Sequence, residues 1–246
     1  MPWASSVAAH AVDGCELVLD RRRRPEDERT RDELEAAWRA ILERRPHVFD
    51  GDLLSVRAID VDGGRLRLEV ETVGYREYLV QREGLELGVR PLGVTGVTYI
   101  GERVLIGRRS ALVTQYPDRW EPVPAGSVAG PPPEVADGDV LAEQVLSELE
   151  EETGIRRGDV SELTVVGVIE DRADRVVDVC FRLHVEAAGV GDTVAAQADE
   201  HSEIRLCPPA EAERLAADAV ASVPTMAPAL ALAARPAWPR WSAGRC

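Results

Sequence analysis

The 246 residues, 45% hydrophobic and 30% charged, suffice for one full-sized domain with a smaller companion, and for a core that needs no disulfide or structural metal. A net charge of −15 argues against nucleic acid as a bulk partner, and no stretch nears the roughly 20 apolar residues of a membrane span. All 29 basic residues are Arg, which excludes Schiff-base chemistry and a Walker-type phosphate loop and leaves any phosphate contact to Arg. Met1 to Cys15 lacks a basic region ahead of an apolar core, so the expected location is the cytoplasm. Cys15, Cys180, Cys207 and Cys246 form no CxxC pair, and the four histidines are equally scattered, so zinc-ligand spacing is absent.

In chain order, the apolar run Glu16–Asp20 leads into Arg21–Arg24, read as a solvated basic patch. Leu34, Ala37, Trp38, Ile41 and Leu42 recur at helical spacing and predict a helix from about Thr30 to Arg45, stopped by Pro46. Thr30 with Glu33 is expected to form a capping box. Strands are predicted at Leu53–Asp60 and Arg65–Thr72, joined by a hairpin turn at Asp62-Gly63-Gly64. A short helix carrying Tyr78 and Leu79 follows. Strands at Val94–Ile100 and Arg103–Ile106 precede a loop from Tyr116 to Asp139 that includes Pro131-Pro132-Pro133. Val140, Leu141, Val145 and Leu149 mark a helix from Val140 to Thr153, closed by Gly154. Strands are predicted at Leu163–Ile169, Val176–Val185 and Glu203–Leu206, then helices at Pro209–Ala217 and Met226–Ala234. The expected organisation is an α+β region over 1–88, a larger α/β domain over 89–222, and a C-terminal helix and tail over 223–246.

The chemistry concentrates in Ser147-Glu-Leu-Glu-Glu-Glu-Thr-Gly-Ile155. On a helix, Glu148, Glu151 and Glu152 stand at i, i+3 and i+4, so three carboxylates share a face and repel one another. A hard divalent cation such as Mg2+ would compensate, since it takes carboxylate oxygens and retains room for substrate phosphates.

This stretch resembles the second half of the Nudix signature, matching at Glu148, Leu149, Glu151, Glu152, Gly154 and Ile155. Trp120-Glu-Pro-Val-Pro-Ala-Gly126 resembles the family's lead-in and supplies its first glycine, Gly126. The likeness continues through Val166-Gly167-Val168 and Asp199-Glu-His-Ser-Glu-Ile-Arg205, covering roughly residues 91–220. It implies an α+β fold, a Nudix α/β/α sandwich with a mixed sheet, preceded by the small N-terminal domain. It also implies hydrolysis of a nucleoside diphosphate linked to another group, with Mg2+, or Mn2+ as an alternative, as cofactor. Carried over by position, Glu148 and Glu152 are the implied metal ligands, with Glu151 sharing a second ion and the Ala125 carbonyl completing the shell. The general base is expected to be Glu203, Glu200 or Glu151, with Glu203 preferred. Arg108, Arg109 and Arg119, with Gly126, are the implied substrate contacts.

Three departures stand out. Ser147 replaces the signature Arg, the loop from Gly126 to Glu148 is seven residues longer than the signature's, and Asp139 stands where a Glu is expected. A further resemblance lies in Arg45-Pro-His-Val-Phe-Asp-Gly51, Tyr75-Arg-Glu-Tyr78 and Pro91-Leu-Gly-Val-Thr95, which look like the layout of UDP-glucose-cleaving Nudix hydrolases. That likeness implies a UDP-sugar substrate giving UMP and sugar 1-phosphate. ADP-ribose or a dinucleotide, and a nucleotide-sugar sensor without turnover, are the alternatives. The expected partners are the small-molecule substrate, with no nucleic acid or membrane, and the pattern allows a homodimer.

Overall fold

A computed structural model describes residues 7–25, 27–28, 30–130, 140–186 and 200–236. The strand β1 (Val7–Ala11) is followed by β2 (Gly14–Arg23), α1 (Arg31–Arg44), β3 (Asp52–Asp62), β4 (Arg65–Gly74) and α2 (Tyr75–Arg82). Then come β5 (Leu92–Ile100), β6 (Arg103–Arg109), β7 (Trp120–Pro122), β8 (Ala125–Ser127) and α3 (Val140–Thr153). The chain ends with β9 (Val160–Asp171), β10 (Val176–Val185), β11 (His201–Cys207), α4 (Pro209–Ala216) and α5 (Met226–Ala233). No helix among the described residues is long and apolar enough to cross a membrane.

The large sheet runs β1-β9-β10-β5-β6-β11, with β7 paired to β6 and β8 to β5. It is mixed, because β10 and β5 are parallel while the other neighbours are antiparallel. Helix α3 covers one face with Val140, Leu141, Val145 and Leu149, against Leu92, Val94, Val179, Phe181 and Leu183. The other face carries α4 and α5 through Ala212, Met226, Ala229 and Leu230, over Val97, Ile106 and Cys180. Helices on both faces of a mixed sheet make this the α+β sandwich expected from the sequence. The alternation along β10 explains the two-sided packing: Val177, Val179, Phe181 and Leu183 meet α3, whereas Cys180 meets α5.

A second, three-stranded sheet runs β2-β4-β3. Its β4 alternates strictly, so Leu66, Leu68 and Val70 join the core of the large sheet while Arg65, Arg67 and Glu69 face water. Trp38, Leu34 and Ile41 of α1 pack with Tyr78, Leu79 and Val80 of α2 in a separate cluster. The strand β1, within the stretch 1–88 assigned from sequence to the small region, hydrogen-bonds instead to β9 of the large sheet.

Two expectations fail locally. Thr30 makes no capping box: its hydroxyl donates back to the Asp27 carbonyl at 3.3 Å, and no side-chain bond reaches the first turn of α1. The loop predicted over Tyr116–Asp139 contains the three-residue strands β7 and β8, too short to carry a periodic signal and held by β6 and β5. The triple proline and Asp139 lie outside the described residues.

Candidate active site

Helix α3 begins at Val140 and ends where Gly154 adopts a left-handed φ of 73°, its N–H donating to the Glu150 carbonyl at 2.8 Å. Burial of Val145 and Leu149 fixes the helix's rotation and turns Glu148 and Glu152 toward β8. There the two carboxylates meet Glu200, which precedes β11: one oxygen from each of the three lies within 4.8 Å of the others. The Glu200 backbone is held by Ser110, whose N–H donates to its carbonyl at 2.7 Å.

The surroundings of this cluster are built for close approach. A Cβ at Gly126 would overlap the Glu148 carboxylate, so only glycine lets β8 pass the helix here. The Ala125 N–H donates to Glu152 Oε1 at 3.2 Å, but Glu152 Oε2 is buried without a hydrogen-bond partner. Glu148 accepts a bond from Gln144 Nε2 at 2.7 Å. Burial pushes the Glu148 carboxyl up to about 7, aided by Glu200 and Glu151 and opposed by the Gln144 bond. Glu152 is raised well above the ordinary range, first by burial and then by repulsion from Glu121, against the Ala125 bond. A buried oxygen with no donor, among carboxylates that resist ionisation together, is a group whose charge a bound cation would satisfy. These residues therefore fit a divalent metal: an all-oxygen donor set from two helical glutamates and one loop glutamate suits Mg2+ or Mn2+.

Next to the cluster, Glu121 is buried yet fully satisfied. Arg109 Nη1 donates to both its oxygens at 2.7 Å, and His201 Nε2 meets Oε1 at 2.9 Å. Burial works against the charge on Arg109, but Glu121, with Glu200 and Glu152 beyond it, raises its pKa above the usual value. Its Nε donates to the Gln115 carbonyl at 2.9 Å, so the guanidinium ties the loop after β6 to the acidic cluster.

The site opens into a cavity of about 290 Å³. Ala125, Gly126, Glu121 and Glu200 form its inner end; Tyr75 and Tyr78 of α2, with Gln115 and Tyr116, form the outer wall. Asp171, Asp174 and Asp178, around the β9–β10 turn, complete it. Burial pushes the Asp178 carboxyl up to about 7, with Glu121 and Asp171 adding to the shift and Arg109 opposing it.

The residues predicted from sequence divide accordingly. Glu148, Glu152, Glu200, Ala125, Gly126 and Arg109 come together. Glu151 faces solvent and accepts a bond from the Ser147 hydroxyl at 2.7 Å, so Ser147 reaches the helix's outer acid. Glu203 is exposed on β11, opposite Arg108 and just past a register shift between His201 and Glu203. Arg108 bonds the Asp118 carbonyl at 3.3 Å, while Arg119 donates to the Ala219 and Ser222 carbonyls and stacks on Tyr116. Neither lines the cavity. Sequence reasoning gave no role to Glu121, His201 or Asp178. Asp178 left a trace, a lone acid inside the apolar run Val176–Val185.

Comparison with known proteins agrees with this geometry. The NUDIX domain pattern matches residues 89–229, more than half the chain. No curated protein sequence matches. Among solved structures, a Deinococcus radiodurans protein is 14% identical with a TM-score of 0.45, covering 62% of this chain and 90% of its own. An Ap4A hydrolase from C. elegans is 18% identical with a TM-score of 0.41, covering 58% and 93%. A bifunctional NMN adenylyltransferase/ADP ribose pyrophosphatase from Francisella tularensis is 14% identical with a TM-score of 0.45, covering 63% and 44%. With its domain match spanning β5 to α5 and its signature glutamates gathered on α3, this chain belongs to the Nudix hydrolase family.

Proposed function

We propose that this protein is a metal-dependent hydrolase that cuts the diphosphate bond of a nucleoside diphosphate joined to another group, with a UDP-sugar as substrate. The observation that carries the reading is the convergence of Glu148, Glu152 and Glu200, with the orphaned Glu152 Oε2, beside a cavity whose wall includes Glu200, Ala125 and Gly126. The UDP-sugar choice is supported by the resemblance of Tyr75-Arg-Glu-Tyr78 and Pro91–Thr95, because Tyr75, Tyr78, Pro91, Gly93 and Thr95 all line that cavity.

In this mechanism Glu148 and Glu152 would hold the cation, with the Ala125 carbonyl as the further ligand that the family resemblance implies. The bound cation supplies positive charge for a diphosphate that the surrounding carboxylates would otherwise repel. Glu200 reaches the cluster from the loop side and faces solvent, and in this reading its carboxylate serves not as a metal ligand but as the base that takes a proton from the attacking water. Water oxygen bonds to one phosphorus, and the bridging P–O bond breaks with its electron pair leaving on the departing phosphate. Arg109 and His201 hold Glu121 beside the cluster by hydrogen bonds, and the Arg109 guanidinium offsets part of the negative charge there.

Incubation with UDP-glucose or ADP-ribose and Mg2+, followed by product identification, tests the reading. UMP with sugar 1-phosphate is expected. AMP from ADP-ribose alone would move the substrate to the adenine series, and tight binding without turnover would make the protein a sensor.

A further inference from the structure

Resting on that hydrolase reading, we infer that the outer cavity selects an uncharged, hydroxyl-bearing group beyond the diphosphate, with Asp178 as its hydrogen-bond acceptor and Tyr75 and Tyr78 as its face. The basis is how the cavity's charges are spent. Among the described residues that line it, Glu121, Asp171, Asp174, Asp178 and Glu200 are acidic and Arg109 alone is basic. Arg109 is engaged by Glu121 and the Gln115 carbonyl.

The outer acids are not equivalent. Asp171 Oδ1 accepts the N–H groups of Ala173 and Asp174 at 3.0 and 3.2 Å, and its Oδ2 accepts the Tyr116 hydroxyl. Asp174 accepts Arg82 at 2.6 Å and Gln115 at 2.7 Å. The backbone of Asp178 is paired within the sheet, but no described residue donates a hydrogen bond to its carboxylate, although it is set into the cavity wall. Its place there is enforced, because its carboxylate occupies the space over Gly93 that a Cβ would fill, beside the Gly126 carbonyl. Gly126 in turn abuts Glu148. A group attached to a diphosphate at the cluster would thus cross Gly126 and Gly93 and arrive at Asp178.

A carboxylate or further phosphate in that position would meet acids with no uncommitted cation beside them, and repulsion is strong away from bulk water. A hydroxyl offers Asp178 the donor it lacks. The half-buried Tyr75 ring offers an aromatic face of the kind that packs against the C–H face of a sugar ring, and the buried Tyr78 ring backs it at 6.0 Å, tilted by 48°. Because both rings belong to α2, the small N-terminal sheet-and-helix region contributes directly to selection.

The test uses a matched pair, UDP-glucose and UDP-glucuronate, which differ by a hydroxymethyl against a carboxylate. The full-length protein should favour the neutral compound by about tenfold or more in kcat/KM, and Asp178→Asn should narrow that ratio by raising use of the anionic one. Tyr75→Ala should raise KM for UDP-glucose while leaving inhibition by UMP unchanged. The Mg2+ concentration for half-maximal activity should not move in Asp178→Asn, as it would if Asp178 were a metal ligand. Equal handling of the pair by the parent protein, or an Asp178→Asn variant that shifts the metal requirement and leaves the ratio intact, overturns the inference. Binding of both compounds is measured alongside turnover. Absent turnover with a clear neutral preference in binding would sink the hydrolase reading and keep the pocket's; turnover without preference would do the reverse.

Discussion

Two buried glutamates, Glu77 in the small sheet-and-helix region and Glu152 in the acidic cluster, are equally hidden from solvent, at 4% and 3% exposure. Glu77 Oε1 accepts the Gly74 N–H at 3.1 Å, and its Oε2 pairs with Arg24 at 2.6 Å. Every oxygen is used, and the side chain clips the start of α2 to β2. Glu152 has one amide at 3.2 Å and an oxygen that nothing reaches. The same residue type, buried to the same depth, is a satisfied fold device in one place and an unsatisfied acid, the metal ligand of the proposed function, in the other. Partners, not burial, separate the two.

Mutation should split them widely. Glu152→Gln is expected to cut turnover by roughly 10³-fold, while the metal-free variant melts no lower than the metal-free parent, since a neutral amide is cheaper to bury than a carboxylate. Activity within a few-fold of the parent would remove Glu152 from the metal site. Glu77→Ala should instead destabilise the fold by about 3 kcal/mol in chemical denaturation, because it leaves the Gly74 amide without its acceptor and takes from Arg24 the nearest of its partners, Glu71 and the Leu87 carbonyl remaining. Its metal-binding midpoint, read by calorimetry, should stay within about twofold.

A smaller effect is expected from pH. Glu148, up at about 7, and Glu152, also raised by burial, both stand above the 4.5 of an unperturbed carboxyl. Between those values the folded chain holds protons that the unfolded chain has released, so metal-free stability is greatest at low pH and falls as pH rises through 7. Thermal melts should drop by roughly 5 °C from about pH 5 to about pH 8, and Mg2+ should remove that slope. A melting point that instead climbs over this range would show that the cluster is not strained by its own charge. Least of all should come from Arg67→Ala, which breaks pairs with Glu16 and Glu69 whose side chains are 64% and 48% exposed. Less than about 0.5 kcal/mol is expected, measured by the same denaturation.

What could be read from the sequence follows the same line between local and assembled features. Helix α3 and strand β10 begin and end at the residues predicted, because each has a long, regular apolar pattern of its own. Glu148 and Glu152 were legible for the same reason, being four residues apart on that helix. Strand β1 was not, since Val7–Ala11 is a strand only by virtue of β9, more than 150 residues away. Glu121, His201 and Asp178 share that difficulty: they come from β7, β11 and β10 and acquire meaning only where those strands converge. Glu203 shows the limit of spacing. It stands close to Glu200 in sequence, yet with the register shifted at the start of β11 it lies exposed and outside the group that Glu200 forms with Glu148 and Glu152.

The pairing of β1 with β9 also constrains how the chain can be divided. The polypeptide leaves the large sheet after residue 11 and rejoins it at residue 92, three strands further along. The intervening segment is therefore anchored at both ends to the same sheet, and the wall that carries Tyr75 and Tyr78 cannot swing away on a single hinge. Truncation before residue 89 would strip β9 of its outer neighbour and bare a row of amides and carbonyls. A shortened chain of that kind should self-associate along the newly opened edge even though its glutamates and its catalytic helix remain intact.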